Sequence, residues 1–159
     1  MIFKAYDIRG KYNEEINFEV AKKIAVAFQE FTKSNKFIIA RDNRLSSKEL
    51  RDGLISGLDG TIIDLGVIPT PLFYFSLYNL KINSGIMITA SHLGKKYNGF
   101  KLCKNKIAID YETGIKQIQK YFDKLNLKKV KNKIIQKNSI NDYINFVLPK
   151  IKLKRKLKI

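Results

Sequence analysis

Three short apolar runs set the fold class of this chain: Phe37-Ile38-Ile39-Ala40, Thr61-Ile62-Ile63-Asp64-Leu65 and Gly85-Ile86-Met87-Ile88. Each is too short for a helix and gives way to polar or turn-forming residues, so each reads as a buried strand. Segments of helical periodicity separate them. Strand-like and helical stretches in alternation predict an α/β layered architecture.

The periodicity also places the helices. Val20, Ile24, Phe28 and Phe31 share one face of a helix predicted from Asn17 to Thr32. A second helix follows the polar turn Arg41-Asp42-Asn43-Arg44, with Ser46 or Ser47 as its cap and Glu49 in its first turn. Leu50, Leu54 and Leu58 recur along it at every fourth residue. Pro69 and Pro71 stiffen the next turn, and a third helix covers about residues 72–78. Beyond Ile88, Phe100-Lys101-Leu102-Cys103 reads as a returning strand. Further helices are predicted over about 112–125, with Ile115, Ile118 and Phe122 on one side, and about 140–148, with Tyr143, Ile144 and Val147. From Lys150 to Ile159 apolar residues alternate with basic ones, as in a strand.

Composition narrows the class further. With 159 residues, 45% of them apolar, the chain is long enough for one domain with a real core. No run of about 18 apolar residues predicts a transmembrane helix, and the first residues lack the pattern of a secretion signal. Cys103 is the sole cysteine, so no internal disulfide forms and a cytoplasmic location is expected. The net charge is +17, and residues 124–159 carry twelve Lys or Arg against one acid, Asp142. That imbalance raises nucleic acid as a partner. The basic tail has few aromatics and no Arg–Gly enrichment, and a Lys-, Ile- and Asn-rich composition accounts for it equally well.

The stretch after Ile88 carries the chemistry. Thr89-Ala90-Ser91-His92-Leu93-Gly94-Lys95-Lys96-Tyr97 places a hydroxyl, the only histidine of the chain and two lysines in one loop. Ligands of open α/β sheets gather outside the carboxyl ends of strands, and the Arg41–Arg44 turn occupies an equivalent position. If Tyr6-Asp7-Ile8-Arg9-Gly10 also converges there, Arg9, Arg41, Arg44, Lys95, Lys96 and Lys101 form a cationic pocket around Ser91. Such a pocket suits a phosphoryl group. Ser91 and His92 are adjacent, and adjacent side chains of an extended loop point apart, so they do not form a nucleophile–base pair. With no second histidine, a serine hydrolase is disfavoured. Asp42 and Asp64 stand alone in sequence and do not make a cation site.

Four segments together resemble the α-D-phosphohexomutases, in the phosphomannomutase/phosphoglucomutase branch. They are Phe3-Lys4-Ala5-Tyr6-Asp7-Ile8-Arg9-Gly10; Arg41-Asp42-Asn43-Arg44-Leu45-Ser46-Ser47; Gly66-Val67-Ile68-Pro69-Thr70-Pro71; and Thr89-Ala90-Ser91-His92 with Tyr97-Asn98-Gly99-Phe100-Lys101. They fall in that family's order and at its spacing, over about residues 2–125. The resemblance implies a three-layer α/β/α fold with a mixed sheet, the family's first domain. It implies that residues 1–150 form that phosphoserine-bearing domain, and that the basic segment 151–159 begins a second domain. Ser91 matches the serine that is phosphorylated, and its phosphate would supply one ligand to Mg²⁺. His92 matches an active-site histidine, Lys101 a proton-transfer or charge-stabilising lysine, and Tyr6 and Arg9 residues lining the same site.

By that resemblance, phosphate passes between C1 and C6 of a glucose or mannose phosphate through a bisphosphorylated sugar, with a glucose 1,6-bisphosphate-type activator. Domains II–IV, which carry the metal loop and the sugar-recognition loop, would be the chain's partners, and the isolated chain is expected to be inactive. One departure stands out: the family's Asn-Pro after Ser-His is replaced by Leu93-Gly94. A second expectation is a non-catalytic remnant that binds phosphate, or nucleic acid through its basic tail.

Overall fold

The computed structural model describes residues 2–125 and 129–152. Its centre is a seven-stranded mixed sheet. The three apolar runs form β2 (Lys36–Arg41), β3 (Gly60–Val67) and β4 (Ser84–Ile88), where β2 pairs in parallel with both of the others. β1 (Ile8–Lys11) and β5 (Tyr97–Lys104) run antiparallel to each other, and β5 pairs antiparallel with β4. β6 (Ile107–Ala108) returns along β5. β7 (Asn132–Gln136) lies parallel to β3 and closes the order β1-β5-β4-β2-β3-β7.

Alternation along the strands sends side chains to two separate cores. Phe37, Ile39, Ile62, Ile86, Ile88, Phe100 and Leu102 pack under α1 (Phe18–Thr32), α2 (Leu45–Gly57) and α4 (Lys116–Asp123). Ile38, Ala40, Ile63, Leu65, Met87 and Cys103 face α3 (Thr70–Asn79) through its Leu72, Phe73 and Leu77. Helices on both faces of a mixed sheet make the three-layer α/β/α arrangement. Phe75 of α3 also meets Tyr143 and Phe146 of α5 (Ile140–Val147), with ring centroids 5.3 and 5.0 Å apart.

The helix ends follow local chemistry. Asn17 caps α1 by accepting from the Val20 N–H at 3.0 Å, and Lys33 ends it in a left-handed turn. Neither Ser46 nor Ser47 caps α2, because Arg44 holds the cap position and both hydroxyls turn inward. The helix predicted over 112–125 is divided. A turn at Tyr111–Ile115, started by an Asp110–Thr113 capping box and kinked at the extended Gly114 (φ 179°), precedes the α-helical turns.

Three strands escape the apolar-run signal: β1, β7 and the two-residue β6. β1 carries the polar pattern of a one-sided strand: Arg9 and Lys11 alternate with the buried Ile8 and Gly10. β7 contains only two adjacent apolar residues; it is the last strand of the sheet among the described residues, with Lys133 in it and Lys131 and Lys137 at its ends. Edge lysines of this kind discourage pairing with a further chain. The alternating run from Lys150 begins in a 3₁₀ turn at Leu148–Lys150, and its later part lies outside the described residues.

Candidate active site

β2, β3 and β4 run in parallel, so the turns leaving Arg41, Val67 and Ile88 emerge at one end of the sheet. Backbone hydrogen bonds tie them together. The Asp42 N–H donates to the Ile88 carbonyl at 2.9 Å and the Ile68 N–H to the Arg41 carbonyl at 3.1 Å.

Ser91 lies at that end in a left-handed conformation, φ 53°, which is uncommon for a residue with a side chain. Its N–H donates to Thr89 Oγ1 at 3.0 Å. The loop then turns twice, with the Leu93 N–H donating to the Ala90 carbonyl and the Tyr97 N–H to the Gly94 carbonyl, both at 3.0 Å. Ser91 and His92 are exposed, as are Lys95 and Lys96.

The turn after β2 is organised by Asp42. Its Oδ1 accepts from the Arg44 N–H at 3.1 Å and from Ser47 Oγ at 2.6 Å, and its Oδ2 accepts from Arg44 Nε at 3.0 Å. Ser47 and Ser46 in turn accept from the Asn98 amide at 2.9 and 2.8 Å, and Asn98 Oδ1 accepts from the Gly99 N–H at 2.8 Å. Ser47 and Asn98 are fully buried. This satisfied chain of polar groups fixes the start of α2 against β5. Gly99 is required where β1 crosses, since a Cβ there would lie 2.7 Å from that of Arg9 and closer still to the Ile8 carbonyl.

Arg44 carries the remaining connection. Its Nη1 donates to the carbonyls of Gly94 and Tyr97 at 3.0 and 3.3 Å, and its Nη2 to those of Ser91 and Leu93 at 3.1 and 2.6 Å. Of the six cations expected to form one pocket, Arg44 is therefore committed to the loop backbone.

A second cationic group forms where β1 meets β5. Arg9 pairs with Gly99, and Lys101 pairs with Met87, one residue before the end of β4. Asp7, nine-tenths buried at its side chain, lies between them. Its Oδ2 is 3.5 Å from Lys101 Nζ and its Oδ1 is 2.9 Å from Arg9 Nε. The Arg9 contact is ionic without hydrogen-bond geometry, which leaves Oδ1 a buried acceptor without a hydrogen bond. Tyr74 of α3 has its phenol raised above the usual range, by burial first, then by Cys103 and then by the Asp7 carboxylate. Tyr6 is 74% exposed and lines a shallow depression with Phe3, Lys4, Ala5, Asp110 and Tyr111, none of them from the Ser91 loop.

Sequence reasoning passed over Asp7, Asn98 and the grip of Arg44. A carboxylate two residues from Arg9 was a readable signal for the first. The other two depend on segments some fifty residues apart.

The fold is a three-layer α/β/α domain whose parallel strands gather the Arg41–Arg44 turn and the Ser91 loop at one end. Residues 1–129 match the family model described as phosphoglucomutase/phosphomannomutase, alpha/beta/alpha domain I. The chain belongs to this phosphoglucomutase/phosphomannomutase family. A phosphomannomutase of Escherichia coli is 42% identical over 122 residues, covering 74% of this chain and 27% of that protein. A phosphomannomutase/phosphoglucomutase of Pseudomonas syringae is 36% identical over 167 residues, covering 99% of this chain and 35% of its own length. Among solved structures, a phosphoglucomutase/phosphomannomutase family protein of Burkholderia thailandensis superimposes with a TM-score of 0.86 at 30% identity. That match covers 97% of this chain and 36% of that one. The chain thus spans little more than a third of these relatives at most. No described helix is long and apolar enough to cross a membrane.

Proposed function

We propose that this chain is the phosphate-carrying domain of a hexose-phosphate mutase and that Ser91 is the carrier. The phosphoryl group leaves Ser91 Oγ for a sugar hydroxyl: the serine P–O bond breaks, a sugar P–O bond forms, and the proton of the sugar hydroxyl ends on Ser91 Oγ. The second phosphate of the resulting bisphosphate then returns to Ser91 by the reverse exchange. Glucose or mannose phosphates are the substrates, and a glucose 1,6-bisphosphate-type activator primes the serine. Lys101 and Arg9 offset the developing charge, with Lys101 also able to move the hydroxyl proton. His92 contacts the sugar phosphate from the Ser91 loop, and Tyr6 reaches it from the separate depression it lines with Phe3 and Tyr111.

The observation that carries this reading is the left-handed Ser91 at the carboxyl end of the parallel strands, exposed and fixed at both backbone polar atoms. Sparsely populated conformations that the surroundings over-determine cluster at functional sites. Magnesium does not fit this chain alone. Among the described residues no three His, Cys, Asp or Glu side chains gather to hold a metal, and a Ser91 phosphate would supply only part of a coordination shell. The remaining ligands, like sugar selection, belong to other domains, and the protein acts in the cytoplasm.

A chimera of this chain with the remainder of the Pseudomonas relative tests the reading. It should interconvert glucose 1-phosphate and glucose 6-phosphate when primed with glucose 1,6-bisphosphate, and Ser91→Ala should remove that activity by at least about a thousandfold, more than loss of a single hydrogen-bonding group would cost. Turnover unaffected by Ser91→Ala, or robust turnover by the 159-residue chain alone, overturns it.

A further inference from the structure

We infer that Arg44 is the positioning residue of the Ser91 loop, a planar clamp that holds the serine in its left-handed conformation by binding the loop's carbonyls rather than any phosphate. The inference deepens the reading of Ser91 as a phosphate carrier and rests on it for its functional meaning. Four carbonyls, those of Ser91, Leu93, Gly94 and Tyr97, converge on one guanidinium at 3.1, 2.6, 3.0 and 3.3 Å. A fifth bond, Nε to Asp42 Oδ2 at 3.0 Å, fixes the plane of the fork. Asp42 is itself held by Ser47, and Ser47 by the buried Asn98, so the clamp is anchored in the core.

The chemistry of the loop calls for such a device. Leu93 and Gly94 have neither a side-chain amide nor a fixed φ to stiffen the turn, and Gly94 has no neighbour within 4 Å of where a Cβ would stand. Carbonyl oxygens turned toward one point repel each other unless a cation sits between them. Guanidinium supplies five donors in a rigid plane, whereas lysine supplies one compact charge. Arg44 thus consumes its donors on the loop backbone. Of the six cations expected around Ser91, those left to meet an anion are Lys95, Lys96, the Arg9–Lys101 group and Arg41, whose Nη1 donates to the Asp42 carbonyl at 3.4 Å.

Amide hydrogen exchange on the 159-residue chain tests this directly, because it needs no substrate. In Arg44→Ala the Ser91, Leu93 and Tyr97 amides should exchange at least tenfold faster, while β3 and α3 keep wild-type protection. Arg44→Lys keeps the charge and the helix start, yet should fail to restore protection. Ser91→Ala should leave the Leu93 and Tyr97 amides protected, because the clamp grips carbonyls and not the hydroxyl. If Arg44→Ala unfolds the chain, Arg44→Lys and Asp42→Asn carry the same comparison.

Loop protection unchanged in the Arg44 variants, or restored by lysine, overturns the clamp and leaves the phosphoserine reading standing. Loss of protection in Arg44→Lys together with a chimera indifferent to Ser91→Ala leaves the clamp and removes the phosphoserine reading.

Discussion

Lys101 Nζ lies 3.5 Å from Asp7 Oδ2, so a single carboxylate bridges lysine and, through its other oxygen, Arg9 from the neighbouring strand. Asp7 is 7% exposed, and its ionic partners stand about a quarter to a third in solvent. Asp7→Asn keeps the shape and removes the charge that orders both cations. Allowing for their solvent screening, the variant should lose about 1–2 kcal/mol in urea unfolding. A midpoint equal to that of the wild type would show that the bridge orders nothing.

Asn98 is the keystone of the polar chain beneath the Ser91 loop. Asn98→Ala strips donors from Ser46 and Ser47 and an acceptor from the Gly99 N–H, all at buried positions. Leaving buried groups unpaired costs about 1–3 kcal/mol each, less where water enters. Calorimetry should therefore record a loss of about 3 kcal/mol, and Asn98→Asp should fare worse because it buries a second carboxylate near Asp42. A mild effect of the aspartate relative to the alanine would contradict this account.

Asp64 and Asp52 separate structural from decorative ion pairs. Asp64 is 4% exposed and accepts from Arg51 Nε and Nη2 at 2.9 and 2.5 Å, from Gln136 at 2.8 Å and from the Gly66 N–H at 2.9 Å. It joins α2, β3 and the edge strand β7. Arg51→Met should cost about 3 kcal/mol or more by leaving a buried carboxylate short of its cation. Lys48→Met, which breaks only the exposed pair with Asp52, should cost under about 0.5 kcal/mol. Equal losses in the two variants, read from urea midpoints, would refute the distinction.

The fold was legible wherever burial was two-sided. β2, β3 and β4 stand at the apolar runs because each must satisfy a core on either face, and α1 follows its four-residue periodicity from the Asn17 cap. β1 and β7 were not legible, since one-sided or edge strands need carry few apolar residues. Ser91, His92, Arg9 and Lys101 were visible as chemical types in order along the chain. What the sequence hid was commitment: Arg44 reads as one more cation, and only its distance from four carbonyls shows that it is spent on the backbone. Asp42, Ser46 and Ser47 likewise read as a turn and a cap, yet they work as a buried scaffold through Asn98.

Cys103 gives the chain an alkaline limit. It is fully buried on the α3 face of β5, and burial pushes its thiol from 9.0 up to about 12, with Lys101 pulling weakly the other way. The native state therefore holds the thiol proton more tightly than the unfolded chain does. That stability is fully present below about pH 9 and is lost as pH rises toward 12. At 1.36 kcal/mol per unit, the full swing is about 4 kcal/mol. Urea midpoints taken from pH 8 to 11.5 should fall more steeply for the wild type than for Cys103→Ala. Lysines and tyrosines other than Lys101 and Tyr74, which couple to the thiol, titrate alike in both chains and cancel in the difference. Parallel curves would mean that the thiolate forms without opening the core.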